Sequence, residues 1–285
     1  MKVQRNRNGH ISWTDELINF IIENRYNISY ASRETGIRNQ TISRKLNQLG
    51  YTDRTKGNLR KYTVNENIFD NIDSKEKAYY LGLLAADGSL NQNSSLVRLS
   101  LHNNDKYMLE QFNDFVGSNR PIFSNKNDCC SEACINSFYM QKSLIKFGVG
   151  YQKSYNLKAP NINNLYAKSF ILGLFDGDGS ISKTIDKDGY PHYSFRITGT
   201  KDILEYCASH LYIFDGKYSI KLEHRCKDTY QLSVIGNKKT ALLLLDLYDN
   251  NFNKPLKRKY FRFQELINYN GSFKEESLSK NLPNL

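Results

Sequence analysis

The sequence predicts an α+β fold in which a small all-α module precedes a unit of pattern α-β-β-α-β-β-α that occurs twice. Three observations carry this. Residues 80–89 read YLGLLAADGS and residues 171–180 read ILGLFDGDGS, so Leu-Gly-Leu and Asp-Gly-Ser recur at one offset. After each copy, segments that alternate every second residue and segments with helical spacing follow in the same order. Residues 1–50, by contrast, carry helical spacing only.

From the N-terminus, Ser12 or Thr14 can cap a first helix on which Trp13, Leu17, Phe20 and Ile21 recur at helical spacing. Tyr26-Asn27 break it. A short helix follows over 29–35, then Gly36, then a helix over about 38–49. Small Ser32 before the glycine and apolar Ile42 after it fit a helix-turn-helix, with close helix contact, a permissive turn and an anchored second helix. Ile37, Ile42, Leu46 and Leu49 are expected to face inward. Arg38, Asn39, Gln40, Ser43, Arg44 and Asn47 remain for solvent or a DNA major groove, and those residue types favour DNA over the alternative, a three-helix bundle that contacts protein.

Residues 51–68 read as a basic linker. Arg54, Lys56, Arg60 and Lys61 stand among few apolar residues, in a tether able to track phosphates. The first half of the duplication spans 69–150: a helix ending in Asp87-Gly88-Ser89, strand-like alternation in SLVRLSLH, a helix over 104–116, strands within 120–140 and a short helix running to Gly148. The second spans 151–270: a helix ending in Asp178-Gly179-Ser180, strands within 180–199, a helix over 201–214, strands within 217–236, a helix over 238–248 and a closing helix over 258–269. Residues 271–285 form a tail. Even the exits of the halves are alike, Tyr151-Gln152-Lys153-Ser154 after one and Leu256-Lys257-Arg258-Lys259-Tyr260 after the other.

A formal net charge of +11 over 285 residues calls for an anionic partner. A membrane fits poorly, because no apolar run is long enough to span one and MKVQRNRNGH has no apolar signal-peptide core. Nucleic acid fits better, met in an intracellular setting such as cytoplasm, nucleoid or organelle matrix. The five cysteines are an odd number without a disulfide framework, which suits a reducing compartment. Cys129, Cys130 and Cys134 cluster and His224 precedes Cys226, but no paired C-x-x-C or H-x-x-x-H accompanies them, so ordinary buried or strand cysteines are expected rather than zinc ligands.

The repeated stretch has its own chemistry. Gly82-x-x-x-Ala86 and Gly173-x-x-x-Gly177 each place tiny residues on one helix face, which lets two backbones approach. If the two helices pack along those faces, Asp87 and Asp178 become neighbours at their C-terminal ends. Gly88 and Gly179 are expected to supply a left-handed residue that ends each helix. Two carboxylates at the negative ends of two helix dipoles repel one another, and a divalent cation relieves that repulsion. Hard oxygen donors favour Mg²⁺ (or Mn²⁺), with water and phosphate oxygens completing the shell. A basic protein holding such an ion beside phosphate is suited to phosphodiester hydrolysis.

These two stretches resemble the LAGLIDADG motif of homing endonucleases in its two-motif, single-chain form, over roughly 70–270. The resemblance implies a monomer with pseudo-twofold symmetry, its two four-stranded sheets forming a saddle over the major groove of double-stranded DNA and its motif helices forming the seam between halves. It implies Asp87 and Asp178 as metal ligands, joined by the backbone carbonyls of Ala86 and Gly177, and cleavage of both strands across the minor groove. It also implies basic residues near the centre, for which Lys142 in the first half and Lys238 or Lys239 in the second are the nearest matches, with surface lysines touching phosphate or solvent as the alternative. Outward strand positions would contact a long, asymmetric target, candidates being Asn91, Gln92, Arg98, Ser182, Lys183, Arg196, Lys221 and Arg225. The first motif departs from the pattern at Ala85, where the second has Asp176. A helical residue two before the metal ligand points away from it, so Ala85 bears on helix-end packing more than on chemistry, and unequal nicking of the two strands is compatible with it.

Other roles go with the same resemblance. A basic saddle also suits structured RNA, as in a maturase that helps a group I intron to fold. A helix-turn-helix joined to such a domain also suits a non-catalytic transcription regulator, against which both acids count. The endonuclease insert of an intein is not expected, because the sequence lacks a cysteine or serine start and a His-Asn end.

Overall fold

The structure, a computed structural model, describes residues 3, 9, 11–25, 28–51, 62–124, 129–151, 153–211, 219–222, 229–249 and 255–269. The chain divides into two compact units, Met1–Thr63 and Val64–Leu285. Among the described residues no helix is long and apolar enough to cross a membrane.

The first unit contains α1 (Asp15–Glu23), α2 (Ile28–Thr35) and α3 (Asn39–Gln48). Thr14, not Ser12, caps α1, its hydroxyl accepting from Leu17 N at 3.3 Å. Leu17, Ile21, Ala31, Ile37, Ile42 and Leu46 close into a separate core. Gly36 takes φ +68° between α2 and α3, a conformation that favours glycine. The Thr35 hydroxyl fastens the turn by donating to Ala31 O at 2.6 Å and accepting from Ile37 N at 3.3 Å. Leu49, expected inward, is exposed, because α3 ends before it and leaves it as the C-cap. Arg38, Asn39, Gln40, Arg44 and Asn47 are exposed and Ser43 half-exposed. Arg54, Lys56, Arg60 and Lys61 lie outside the described residues. The last residues of the expected linker belong to the second unit, where Asn65 N bonds Val116 O at 2.8 Å and the Ser137 hydroxyl donates to Glu66.

The second unit builds one architecture twice. In the first half α4 (Lys75–Asp87) runs directly into β1 (Gly88–Leu90), followed by β2 (Leu96–His102), a 3₁₀ turn (Asn103–Asp105), α5 (Lys106–Phe115), β3 (Phe123–Ser124), β4 (Cys130–Asn136) and α6 (Phe138–Lys146). The second half has a short α7 (Lys153–Asn156), then α8 (Ala167–Asp178), β5 (Gly179–Ile185), β6 (Pro191–Gly199), α9 (Lys201–His210), β7 (Ser219–Leu222), β8 (Tyr230–Ile235) and α10 (Asn237–Asp249), closed by α11 (Lys257–Tyr269). The helix expected over 201–214 thus ends at His210. Arg225 and the tail lie outside the described residues.

Both sheets are antiparallel with equivalent strand orders, β1-β2-β4-β3 and β5-β6-β8-β7. The registers match as well: Ser89 pairs with Arg98 in one sheet and Ser180 with Arg196 in the other. One face of each sheet is apolar. Val97, Leu99, Leu101, Ala133 and Ile135 bury in the first, Phe195, Ile197, Leu232 and Val234 in the second, and both faces join α4 and α8 in one continuous core. This explains why α4 and α8 are apolar nearly all round, since each meets its own sheet and the opposite helix.

Candidate metal and nucleic-acid site

The seam between the halves is a backbone contact. A Cβ built on Gly82 would lie 2.0 Å from Phe170 O, and one on Gly173 would lie 1.9 Å from Tyr79 O. Further along, a Cβ on Gly177 would fall 2.2 Å from Ala86 Cβ and 2.8 Å from Asp87 Oδ2. The two small-residue faces read from the sequence therefore meet, and Gly177 leaves the space that Asp87 uses.

Both helices end at the acids and pass straight into strands. Gly88 (φ −77°) and Gly179 (φ −97°) are extended rather than left-handed. The expected left-handed caps are absent because the chain turns from helix to strand without reversing. Glycine is needed there for room instead: a Cβ on Gly88 would meet Leu84 O at 2.3 Å, and one on Gly179 the Phe175 ring at 2.1 Å.

Asp87 is half-buried, and Asp178 keeps more of its surface open. Desolvation and then repulsion from Asp178 push the Asp87 carboxyl up to about 6, against the pull of Lys153, Lys259 and Arg258. Desolvation also raises Asp178, opposed by Lys153 and Lys259. Two acids thus share one place at the foot of the seam, Asp87 the more recessed of the two.

Two lysines face them, neither of them among the sequence candidates. Lys153, on α7, donates through Nζ to Ala85 O at 2.9 Å and to Ala86 O, at the end of α4. Lys259, on α11, is 4% exposed and donates to Phe175 O, to Asp176 O at 2.8 Å and to Gly177 O at 3.3 Å, at the end of α8. Each ammonium thereby satisfies carbonyls that a helix C-terminus leaves without partners. Burial holds Lys153 below the usual lysine range and brings Lys259 down to about 8. Lys142 instead sits exposed on α6, and Lys238 and Lys239 at the start of α10; none of the three is among the cations that act on Asp87 or Asp178. The signal that points to the pair facing the acids is the likeness of the two exits, Tyr-Gln-Lys-Ser and Lys-Arg-Lys-Tyr.

Asp176 is 1% exposed beneath this layer. Its Oδ2 accepts from Tyr79 Oη at 2.7 Å and from Leu256 N at 2.9 Å. The Ala85 position of α4 has no such carboxylate.

On the open face of the sheets, Arg98 and Arg196 occupy equivalent positions one strand away from the two Asp-Gly-Ser segments. Arg98 is tied to Glu132 at 3.4 Å. Ser182 shares the face of Arg196, and Lys221 the register row of Thr198 and Gln231. Asn91, Gln92, Arg98 and Ser89 line a shallow depression with Tyr151. Lys183 departs from the expectation: it pairs with buried Tyr193, and its ammonium lies 5.8 Å from that ring, on the core side of the alternation.

Among the described residues no group of three or more His, Cys, Asp or Glu side chains is placed to hold a metal ion. The two carboxylates fit a hard divalent cation that keeps part of its shell for water and phosphate oxygens, whereas the carbonyls of Ala86 and Gly177, expected to join them, accept from Lys153 and Lys259 in this structure. Desolvation and then repulsion from Asp178 raise the Asp87 carboxyl, and such an ion would offset both.

Among solved structures, the chain has the fold of the I-LtrWI LAGLIDADG homing endonuclease bound to target DNA, with 14% identity over 76% of this chain and 96% of that one and a TM-score of 0.50. A lysine-to-alanine mutant of I-SmaMI matches with 15% identity over 67% and 89% and a TM-score of 0.50. I-SmaMI bound to uncleaved DNA target in the presence of calcium ions matches with 15% identity over 71% and 95% and a TM-score of 0.49. No family model matches the sequence, and no curated protein is similar to it.

Proposed function

We propose that the chain is a site-specific double-strand DNA endonuclease of the LAGLIDADG homing type, acting as a monomer with Mg²⁺ or Mn²⁺. The observation that carries this reading is the meeting of Asp87 and Asp178 at the foot of the glycine-tight α4–α8 seam, recessed enough that each is held above the usual carboxylate range. Such a like-charge pair is costly as a purely structural choice. Asp87 and Asp178 would hold the divalent ion, which would supply Lewis-acid charge at a phosphate and acidify a bound water.

The residues of the chain do the rest. Lys153 and Lys259 place positive charge beside both acids, where charge develops on a phosphorane. Arg98 and Arg196, at matching positions of the two sheets, contact the target on either side of the seam. The halves differ in sequence at most outward positions, so the target is asymmetric. The first unit, read as a helix-turn-helix, presents Arg38, Asn39, Gln40, Ser43 and Arg44 to one further major groove.

The test is cleavage of a randomised duplex library with Mg²⁺ by the wild-type protein and by Asp178→Asn. Metal-dependent breaks at one long sequence, absent in the variant, support the reading and supply the target. Tight binding without breaks would replace it with RNA maturation or transcriptional regulation.

A further inference from the structure

The two lysines that face the acids are not held alike. Lys259 sits near the start of α11, and that start is fixed from several sides. Leu256 N donates to the buried Asp176 carboxylate at 2.9 Å, and the same oxygen takes the Tyr79 hydroxyl from α4 at 2.7 Å. Lys257 N donates to Tyr107 Oη at 2.7 Å, and Arg258 pairs with nearly buried Asp105 at 3.0 Å. Lys153 has part of such a frame: Thr200 donates to Leu157 O at 2.7 Å and Asp202 accepts from Ala159 N at 2.6 Å. Its helix α7 is one turn long, and the residue of α4 equivalent to Asp176 is Ala85, which offers no side-chain acceptor.

We propose that Asp176 is a positioning residue which locks the α11 start, and through it Lys259, so that the two strands of the target are cut in a fixed order, first the one served by Lys259. This rests on the endonuclease reading above. The physical reason is preorganisation. A backbone N–H held by a buried carboxylate makes a charge-assisted hydrogen bond, and in a dry site that bond fixes the first turn of α11. An ammonium already seated on the end of α8 loses no rotamer freedom when charge develops beside it. On the other side the Lys153 ammonium is seated on the end of α4 as well, but the single helical turn that carries it has no buried carboxylate to hold it in place. The otherwise buried Asp176 also has an Oδ1 without a hydrogen-bond partner among the described residues, a cost that a purely structural side chain would avoid.

The experiment is strand-resolved cleavage of a duplex bearing the selected target, with a different label on each strand. Lys259→Ala and Lys153→Ala first identify which strand each lysine serves. Wild type is expected to nick the Lys259 strand first. Asp176→Ala is expected to slow that strand by roughly 10- to 100-fold, the scale of a small misplacement, and the other strand by no more than about threefold. Asp176→Asn, which keeps an oxygen for Leu256 N and Tyr79 Oη, is expected to restore the wild-type order. Tyr79→Phe, which removes one donor and keeps the ring, serves should Asp176→Ala fail to fold; it is expected to slow the same strand selectively. Equal slowing of both strands by Tyr79→Phe or Asp176→Ala overturns the inference and leaves the endonuclease reading intact. No cleavage of any duplex by wild type removes both.

Discussion

The carbonyl oxygen of Tyr79 lies 1.9 Å from the point a Cβ on Gly173 would occupy, and the carbonyl of Phe170 stands in the same relation to Gly82. The halves are joined by main chain against main chain, and the position of the acids depends on that closeness. Gly173→Ala must drive a backbone atom away. It is expected to cost about 3 kcal/mol and to lower Tm by roughly 5–10 °C. Gly150→Ala is the control, because a Cβ there meets nothing within 4 Å. Equal Tm values for the two variants in thermal unfolding would count against the tight seam.

Asp87→Asn removes one of two facing charges. In the metal-free protein that relieves repulsion, so the variant is expected to be as stable as wild type or more so. Cleavage is expected to fall roughly 1,000-fold or more, with DNA binding kept. The combination is diagnostic, because a variant that lost activity through misfolding would lose binding and Tm together. Gel-shift, cleavage and unfolding measurements on one preparation separate the two cases.

The motif pair was legible because its meaning is local: small residues four apart on a helix, then an acid, then glycine. Helix and strand order followed from periodicity for the same reason. The conformations of Gly88 and Gly179 were not legible, because an Asp-Gly after a helix suits a left-handed cap equally well, and only the strand that follows decides. Lys153 and Lys259 were visible as similar exits. Nothing local says that those exits return to the ends of α4 and α8, so Lys142, Lys238 and Lys239 looked as good. Lys183 stands one step of strand alternation from the open face, which is enough to put a side chain on the other face. Asp176 was recognised as an acid of the motif, but its partners, Tyr79 and Leu256, come from distant segments.

The raised carboxyls make stability depend on pH. Asp87 titrates at about 6 in the folded protein, above its ordinary 3.8. The folded state therefore binds the proton more tightly, and its contribution to stability is full below the ordinary value and lost as pH rises through about 6. Asp176, also held at about 6 chiefly by burial, adds to the same trend. Metal-free wild type is expected to show a higher Tm at pH 5 than at pH 7 through these groups, and Asp87→Asn a smaller difference. Mg²⁺ is expected to raise Tm at pH 7.5 and to do so much less at pH 5, where protons compete for Asp87. An Mg²⁺ shift that is the same at both pH values would separate the ion from these acids.

Lys259→Met keeps the length and apolar character of the side chain and removes the ammonium. It leaves the carbonyls of Phe175, Asp176 and Gly177 without that donor and takes charge from beside both acids. Cleavage is expected to slow roughly 100- to 1,000-fold with binding little changed, since the side chain is buried. Asp87 and Asp178 lose an attraction and are expected to titrate higher, so the Mg²⁺ concentration for half-maximal rate at neutral pH is expected to change. Lys142→Met, on exposed α6, is the comparison and is expected to leave the rate near wild type. A rate loss at Lys142 equal to that at Lys259 would return the catalytic assignment to α6.

The first unit closes its own core from Leu17, Ile21, Ala31, Ile37, Ile42 and Leu46, and no residue of that core belongs to the cluster of the second unit. Residues 64–285 are therefore expected to fold alone, with the seam, the acids and both lysines in place. Cleavage at saturating protein should persist. If α3 presents Arg38, Asn39, Gln40, Ser43 and Arg44 to a groove, removal of 1–63 lowers affinity by about 100-fold or more, the gain that a linked second module supplies. The slope of log K against log salt becomes shallower, because the phosphates that module neutralised no longer release counterions. Were the three helices a bundle that contacts protein, affinity and salt slope would both stay where they are in the full chain. Measuring binding at several salt concentrations, rather than at one, makes the distinction: a change in slope reports lost phosphate contacts, whereas a uniform loss of affinity with the slope unchanged would mean damage to the remaining unit.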